Sequence, residues 1–207
     1  MIENAVFEDE QEKAIDLAMA AFKAGLLRHA KPLSVVREFI THGPCVVISQ
    51  EQHAELRERV GVELGIHPNR DVYTVGSAKL GFSIKPARRY GRFNDHSDID
   101  VAVVSPELYS QIWLEVREFV ASKEPWSVSK MEDFKREHLA GRISPKNIHK
   151  ASPLIPTATR LWDIGRQLQL DRVAGPYQVT FAVWYDMDAL EGYQSNAVAE
   201  CQKIEAL

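Results

Sequence analysis

The hydrophobic positions divide the chain into segments with helical spacing and shorter, continuously apolar runs. Apolar residues that recur every three or four positions predict helices at about 8–28, 51–60, 106–122, 131–139 and 157–170. The same pattern predicts a shorter helix over 34–41, capped by Ser34, and a last helix that begins at a capping box of Asp188 and Glu191. Apolar runs rich in β-branched residues predict strands at 45–49, 71–75, 99–105 and 177–184.

These elements predict a small mixed β-sheet surrounded by helices, which is the α+β class. The run at 99–105 is apolar almost throughout, so it is expected in the middle of the sheet with both faces covered. Residues 77–81 read as a turn into a short helix, and 82–95 and 141–156 as loops. The prediction is a single domain over 1–207, with an N-terminal helical extension of about 1–42 and C-terminal helical elements.

Composition narrows the class of protein. The 207 residues are 45% hydrophobic and 26% charged, which is typical of one folded domain rather than a disordered chain. No apolar run approaches the roughly 18 residues that a membrane span needs. The first twelve residues hold five acids and no base, whereas a secretory signal begins with basic residues. This start therefore predicts a cytoplasmic protein. Cys45 and Cys201 form neither a disulfide framework nor a zinc-ligand cluster.

The net charge of −4 is unevenly distributed. Residues 1–12 carry −5 and residues 186–207 carry −4, so residues 13–185 carry +5. A basic middle between acidic ends suits a protein that binds an anion centrally. The alternative is that each acidic end is simply a solvated helix.

The chemistry-bearing residues are concentrated in 75–105. Asp98 and Asp100 lie two apart at the start of a strand, so both side chains are expected on one face. Two neighbouring carboxylates repel unless a cation lies between them, and Mg²⁺ prefers such hard oxygen ligands. Gly76 and Ser77 occupy a strand-to-helix turn, where backbone N–H groups and a hydroxyl can hold a phosphate. A phosphate turn beside paired carboxylates is the equipment of phosphoryl or nucleotidyl transfer.

The segment Gly76-Ser77-x-x-x-Gly81, followed by Ser97-Asp98-x-Asp100 on an apolar strand, resembles the DNA polymerase beta-like nucleotidyltransferase superfamily. The resemblance covers about residues 71–105. That superfamily includes minimal nucleotidyltransferases of toxin–antitoxin pairs, antibiotic nucleotidyltransferases, tRNA CCA-adding enzymes and cyclic-oligonucleotide synthases of anti-phage defence.

The resemblance implies a Mg²⁺- or Mn²⁺-dependent enzyme of the nucleotidyltransferase fold. Asp98 and Asp100 would be the catalytic metal ligands, and Gly76 and Ser77, with Lys79 and Gly81 of the same segment, would hold the triphosphate of an NTP. A hydroxyl of a protein, RNA or nucleotide acceptor would then attack the α-phosphate and release pyrophosphate. A toxin–antitoxin or anti-phage setting, with a partner protein, is the context that the resemblance implies.

Three departures from the family pattern are visible. Residues 78–97 form a long interval between the two motifs, with Lys85, Arg88, Arg89 and Arg92 and no acid before Asp95. These bases predict contacts with polyphosphate or with an RNA or DNA backbone; the alternative is an exposed solubilising loop.

The second departure is Leu80, at a place where many relatives carry an arginine. The third concerns a further carboxylate, which catalytic members carry on a later strand beside the first two. The run 177–184 contains no acid, so Asp186, just beyond it, is the candidate third metal ligand.

Three functional readings remain open. The intact Asp98/Asp100 pair favours an enzyme, while the missing third carboxylate favours a catalytically incomplete nucleotide- or nucleic-acid-binding module that acts through a partner protein. A scaffold that grips a partner through the amphipathic helix over 8–28 is the third. Lys146, His149 and Lys150 either extend the anion-binding surface or belong to a solvated linker.

Overall fold

The computed structural model describes residues 2–148 and 152–206. Its helices are α1 (Ile2–Arg28), α2 (Pro32–Val35), α3 (Gln50–Leu64), α4 (Pro68–Asp71), α5 (Gly76–Leu80), α6 (Pro106–Ala121), α7 (Val128–Leu139), α8 (Pro156–Leu170) and α9 (Met187–Glu205). A π-helix (Val36–Thr41) continues α2, and two 3₁₀ turns cover Pro86–Arg88 and Pro145–Asn147. The strands are β1 (Val72–Val75), β2 (Ile99–Val104), β3 (Arg142–Ile143) and β4 (Val179–Trp184).

The four strands form one mixed sheet in the order β1-β2-β4-β3. β2 runs parallel to β4, and β1 and β3 are antiparallel edge strands. Helices predominate around this sheet, so the α+β prediction is confirmed. β2 occupies the central position expected from its apolar sequence.

Helices cover both faces of the sheet. On one face Val101 and Val103 of β2 join a core with residues of α3, α6 and α8. On the other face Ala102 joins a core with Trp184 of β4 and residues of α1, α2 and α9. Alternate residues of β2 therefore enter two separate cores, which explains why the strand is apolar throughout instead of alternating.

The predicted strand at 45–49 is wrong. Val46 N–H donates to the carbonyl of Lys79 at 3.0 Å, and Val47 N–H donates to that of Ala78 at 3.3 Å. The last carbonyls of a helix lack hydrogen-bond partners within it. The N–H groups of this segment bind those carbonyls of α5, so the segment does not join the sheet. The predicted Ser34 cap is also wrong: α2 begins at Pro32, with Lys31 before it, because proline is well suited to the first helical position.

The start of α9 also differs from its prediction. Asp186, not Asp188, is the N-cap, and its side chain accepts a hydrogen bond from Ala189 N–H at 2.8 Å. Glu191 is 3% exposed and accepts from Arg37 of the π-helix at 2.8 and 3.1 Å. Its carboxylate is therefore used in a tertiary ion pair that ties the π-helix to α9.

The uneven charge along the chain is partly neutralised by such tertiary pairs. Arg92 of the basic middle pairs with Asp16 of α1 at 2.5 Å, and its guanidinium lies 3.9 Å from Glu12. Arg37 and Lys23 pair with Glu191 and with Glu205, respectively, on α9. Part of the central positive charge is therefore neutralised by acidic residues of α1 and α9 and is not available to a ligand.

Two glycines in helices provide a matched test of the packing between α8 and the sheet. A Cβ on Gly165 of α8 would lie 2.6 Å from the carbonyl oxygen of Val179, whereas a Cβ on Gly192 of α9 would meet nothing within 4 Å. We expect Gly165→Ala to lower the free energy of unfolding by about 1–3 kcal/mol through overpacking. Gly192→Ala should raise it by about 0.5–1 kcal/mol, because alanine favours the helix. Urea unfolding of both variants measures the contrast, and equal effects would contradict this packing.

None of the described helices is both long enough and apolar enough to cross a membrane.

Candidate functional site

The two predicted carboxylates come together at the amino end of β2. Asp98 immediately precedes the strand and is exposed, and Asp100 is its second residue and half-buried. Partial burial, followed by the charge of Asp100, raises the pKa of the Asp98 carboxyl, and the charges of Lys146 and Lys85 oppose that shift. The side chains are therefore close enough to repel, which makes their charged forms costly without a cation.

Gly76 provides the closest backbone approach to this pair. Val75 of β1 is the cross-strand partner of Asp100. Gly76 follows Val75 and begins α5, so α5 begins directly beside the Asp100 carboxylate. Gly76 has a φ of +71°, and a Cβ there would lie 2.7 Å from Asp100 Oδ2. Both the conformation and the space require glycine.

Thr180 is the third member of the site and was not predicted. It is the parallel partner of Asp100 on β4, and its hydroxyl donates to Asp100 Oδ1 at 2.9 Å. The residue that faces Asp100 across the two central strands is therefore a hydroxyl and not a carboxylate, and its hydrogen bond fixes one oxygen of Asp100.

Asp186 is wrong as a third metal ligand. It follows the carboxyl end of β4, whereas Asp100 pairs with Thr180 near the amino end of the same strand. From Thr180 to the end of β4 at Trp184 the strand spans about 13 Å at about 3.3 Å per residue, and Asp186 lies two residues further on. Its side chain is instead used as the cap of α9.

Two lysines bring positive charge to the pair. Lys85 comes from the basic interval, and Lys146 comes from the 3₁₀ turn Pro145–Asn147; both are exposed, and both act electrostatically on Asp98. Lys146 was one of three candidates for an anion-binding surface. The other two, His149 and Lys150, lie outside the described residues.

Ser77 stands next to Gly76 and is half-exposed, as a phosphate contact from this turn would require. The helix that it begins has only five residues. A dipole this short adds little, so the turn contributes backbone N–H groups and a hydroxyl, and the neighbouring lysines supply the positive charge.

Lys79 and Gly81 are not brought to the carboxylate pair. Lys79 is 3% exposed and its ammonium donates to the carbonyl of Gly43. Gly81 ends α5 with a φ of +84°, and a Cβ there would lie 2.8 Å from Ile15 of α1. Gly81 is thus a packing residue, and the prediction of phosphate contacts for these two residues at this site is wrong.

Two arginines of the basic interval are also directed elsewhere. Arg92 pairs with Asp16 of α1, and Arg89 lies against Cys201 of α9. Arg88 ends an exposed 3₁₀ turn, and Lys85 is the base of this interval that acts on Asp98. The interval is itself ordered: Ser83 N–H donates to Gly91 O and Tyr90 N–H to Ser83 O, which closes it like a hairpin.

The surface next to Thr180 is apolar. A small depression there is lined by Pro145, Leu161, Trp162, Val179 and Phe181, together with Lys146 and Thr180. The carboxylates, two lysines and an apolar border therefore occur together at the amino ends of the two central strands.

The described residues contain no cluster of three or more histidine, cysteine or acidic side chains with metal-binding geometry. The site is therefore a two-carboxylate site whose further ligands would come from a substrate or from water. Such a set of hard oxygens suits Mg²⁺, which commonly keeps several waters and binds through one or two carboxylates together with substrate phosphates.

Fold and site together define an α+β protein with a pair of carboxylates at the amino end of β2, one of the two central strands of a mixed sheet. The chain matched no protein-family model, no curated protein and no solved structure. Its function is therefore inferred from the chemistry of the Asp98/Asp100 pair and the residues around it.

Proposed function

We propose that the chain binds a nucleoside triphosphate with Mg²⁺ or Mn²⁺ and transfers its nucleoside monophosphate to an acceptor hydroxyl. The observation that carries this proposal is the contact among three elements: the Asp98/Asp100 pair, the backbone of Gly76 against Asp100, and the Thr180 hydroxyl on its other oxygen. Carboxylates that repel each other beside an open backbone turn are suited to a cation and a phosphate.

The residues present fit a divalent cation. Asp98 and Asp100 would hold it, and it would supply positive charge to the phosphate oxygens of the nucleotide. Thr180 keeps Asp100 in one orientation through its hydrogen bond, so the carboxylate is preorganised. Lys85 and Lys146 would meet the remaining negative charge of the triphosphate.

The transfer is a displacement at the α-phosphorus. The acceptor oxygen forms a bond to that phosphorus, the bond from it to the bridging oxygen of the β-phosphate breaks, and pyrophosphate leaves while the hydroxyl proton is released. The chain contributes positioning and charge: Gly76 and Ser77 offer backbone and hydroxyl donors, and the apolar border near Trp162 offers a surface for the base.

Thr180 supports a second candidate function. Because the position beside Asp100 holds a hydroxyl rather than a carboxylate, the site lacks one group that an enzyme of this type uses. We therefore keep, as the alternative, a module that binds a nucleotide or nucleic acid without turnover and acts through a partner protein.

The distinguishing experiment uses NTPs labelled separately on the α- and the γ-phosphate, with Mg²⁺ or Mn²⁺ and cell lysate. We expect the α-label to move to protein, RNA or a small product, and the γ-label to appear in pyrophosphate. The matched control is the chain with Asp98→Asn and Asp100→Asn. Binding without transfer would support the module, and transfer of the γ-label to an acceptor would contradict nucleotidyl transfer.

A further inference from the structure

A second cavity lies at the free edge of β1, away from the carboxylate pair. Its volume is about 440 Å³, within the range of small-molecule sites. It is open to solvent on one side and is bordered by the end of the π-helix, α3, α4, β1 and α5; the lining residues that matter here are His53, Arg57, Arg70, Thr74 and Lys79. Among the described residues, the lining contains bases and hydroxyls but no aspartate or glutamate.

The cavity and the carboxylate pair occupy different parts of the sheet: the cavity opens at the free edge of β1, and the pair lies at the amino end of the central strand β2. Val75 is the partner of Asp100 and shares its face, so the preceding residue, Thr74, points to the opposite face. Lys79 lies one turn of α5 beyond Gly76 and lines the cavity. The same short helix thus contributes to both places with different residues.

Lys79 is the least expected residue of the lining. It is 3% exposed, and its ammonium donates to the carbonyl of Gly43, a neutral acceptor. Burial, together with the charge of Arg57, lowers its pKa. A buried ammonium is usually paired with a carboxylate, but the ion pairs of the described residues give it none.

Two further donors in the cavity have no partner among the described residues. Thr74 is 1% exposed and its hydroxyl makes no hydrogen bond; the buried Nε2 of His53 makes none either. Burial, followed by the charges of Lys79 and Arg57, lowers the pKa of His53 to about 4. Buried polar atoms without partners are rare in folded proteins and call for a ligand or water.

Arg57 adds a guanidinium from the same helix as His53. Its Nε donates to the carbonyl of Pro68, which fixes the group at the wall of the cavity. Arg70, by contrast, pairs with Asp71 at 2.8 Å, so its charge is already compensated. The uncompensated charge is therefore that of Lys79 and Arg57, next to the unpartnered Thr74 and His53.

We propose that this cavity binds the phosphate group of a small phosphorylated ligand. A phosphate dianion would accept hydrogen bonds from the Lys79 ammonium, the Thr74 hydroxyl, the Arg57 guanidinium and His53, and would supply the negative charge that the lining lacks. The cavity exceeds the volume of the phosphate alone, so the ligand class is a phosphomonoester, with inorganic phosphate as its minimal form. This site is independent of the metal and of the triphosphate site.

The test is a calorimetric titration of the full chain with inorganic phosphate and, in a second arm, with adenosine 5′-monophosphate. Both arms contain EDTA and use the chain with Asp98→Asn and Asp100→Asn, so the carboxylate site does not contribute. We expect saturable binding in at least one arm. Tighter binding of the monophosphate would identify a phosphomonoester as the ligand, and equal binding would identify the phosphate group alone.

Three variants locate the binding. Thr74→Val keeps the shape of the side chain and removes the unpartnered hydroxyl, so the unliganded chain should fold at least as well. It and Lys79→Met should weaken binding about tenfold to a hundredfold. The matched control is Arg59→Gln, which removes a base from α3 that pairs with Asp171 and does not line the cavity; its affinity should be unchanged. The proposal is overturned if neither probe binds at millimolar concentration, or if Thr74→Val binds as tightly as the parent.

Discussion

Replacing both carboxylates of the pair, with Asp98→Asn and Asp100→Asn, should weaken Mg²⁺-dependent nucleotide binding by about a hundredfold or more. Asparagine keeps the size and one oxygen of each side chain but removes the charge that holds the cation. Calorimetric titration with ATP in the presence of Mg²⁺ measures the loss.

The fold should survive this change. Because partial burial, and after it the charge of Asp100, raise the pKa of Asp98 in the folded chain, its ionised form opposes folding at neutral pH. At a pH below the ordinary pKa of an aspartate, Asp98 is protonated in both the folded and the unfolded chain, so it does not oppose folding. This cost to stability sets in as the pH rises through the raised pKa of the folded chain. The double variant should therefore melt no lower than the parent at pH 7.

Asp95→Asn, which alters an exposed carboxylate in the preceding loop, is the control that should leave nucleotide binding unchanged. Undiminished Mg²⁺-dependent binding in the double variant would rule out the pair as the metal site.

Gly76→Ala should weaken Mg²⁺-dependent nucleotide binding by about a hundredfold with only a modest loss of stability. The added Cβ would lie 2.7 Å from Asp100 Oδ2, and the atom that moves most easily is that oxygen at the end of a side chain. The backbone strain of a left-handed alanine costs about 1–2 kcal/mol. The effect on the site therefore arises from a displaced carboxylate.

Gly65→Ala separates these two effects. Gly65 ends α3 with a φ of +68°, and a Cβ there would meet nothing within 4 Å. It imposes a similar backbone strain at a distance from the pair, so it should lower stability comparably and leave nucleotide affinity as it was. Equal affinities for Gly76→Ala and Gly65→Ala, at similar melting temperatures, would contradict the close approach of Gly76 to the site.

Local patterns predicted most of the fold. The run 99–105 was apolar enough to indicate a strand covered on both faces, and β2 has that place. The shared face of Asp98 and Asp100 follows from a period of two, which is a local signal. The position of Gly76 beside Asp100 depends instead on the pairing of β1 with β2.

What could not be predicted depended on register and tertiary pairing. Thr180 is important only because β4 aligns it with Asp100, and nothing in the run 177–184 marks that alignment. Asp186 was selected for its charge, but it follows the carboxyl end of β4, whereas Thr180 lies near the amino end of that strand. The segment 45–49 has the composition of a strand, but its N–H groups donate hydrogen bonds to carbonyls of α5 and not to a neighbouring strand.

The basic interval illustrates the same limit. Its density of arginine indicated a phosphate surface, yet Arg92 binds an acid on α1 that lies far away in sequence. Lys85, from the same interval, is a base that acts on Asp98. Only the tertiary structure separates bases that neutralise the acidic helices from bases that remain for a ligand.

If the Asp98/Asp100 pair binds a nucleotide through a divalent cation, ATP binding should depend on the metal. A titration of the unaltered chain with ATP, first with Mg²⁺ and then with EDTA in its place, measures this dependence. We expect saturable binding with Mg²⁺ and its loss in EDTA. Binding of equal affinity under both conditions, or no binding with Mg²⁺, would contradict a metal-dependent nucleotide site at the pair.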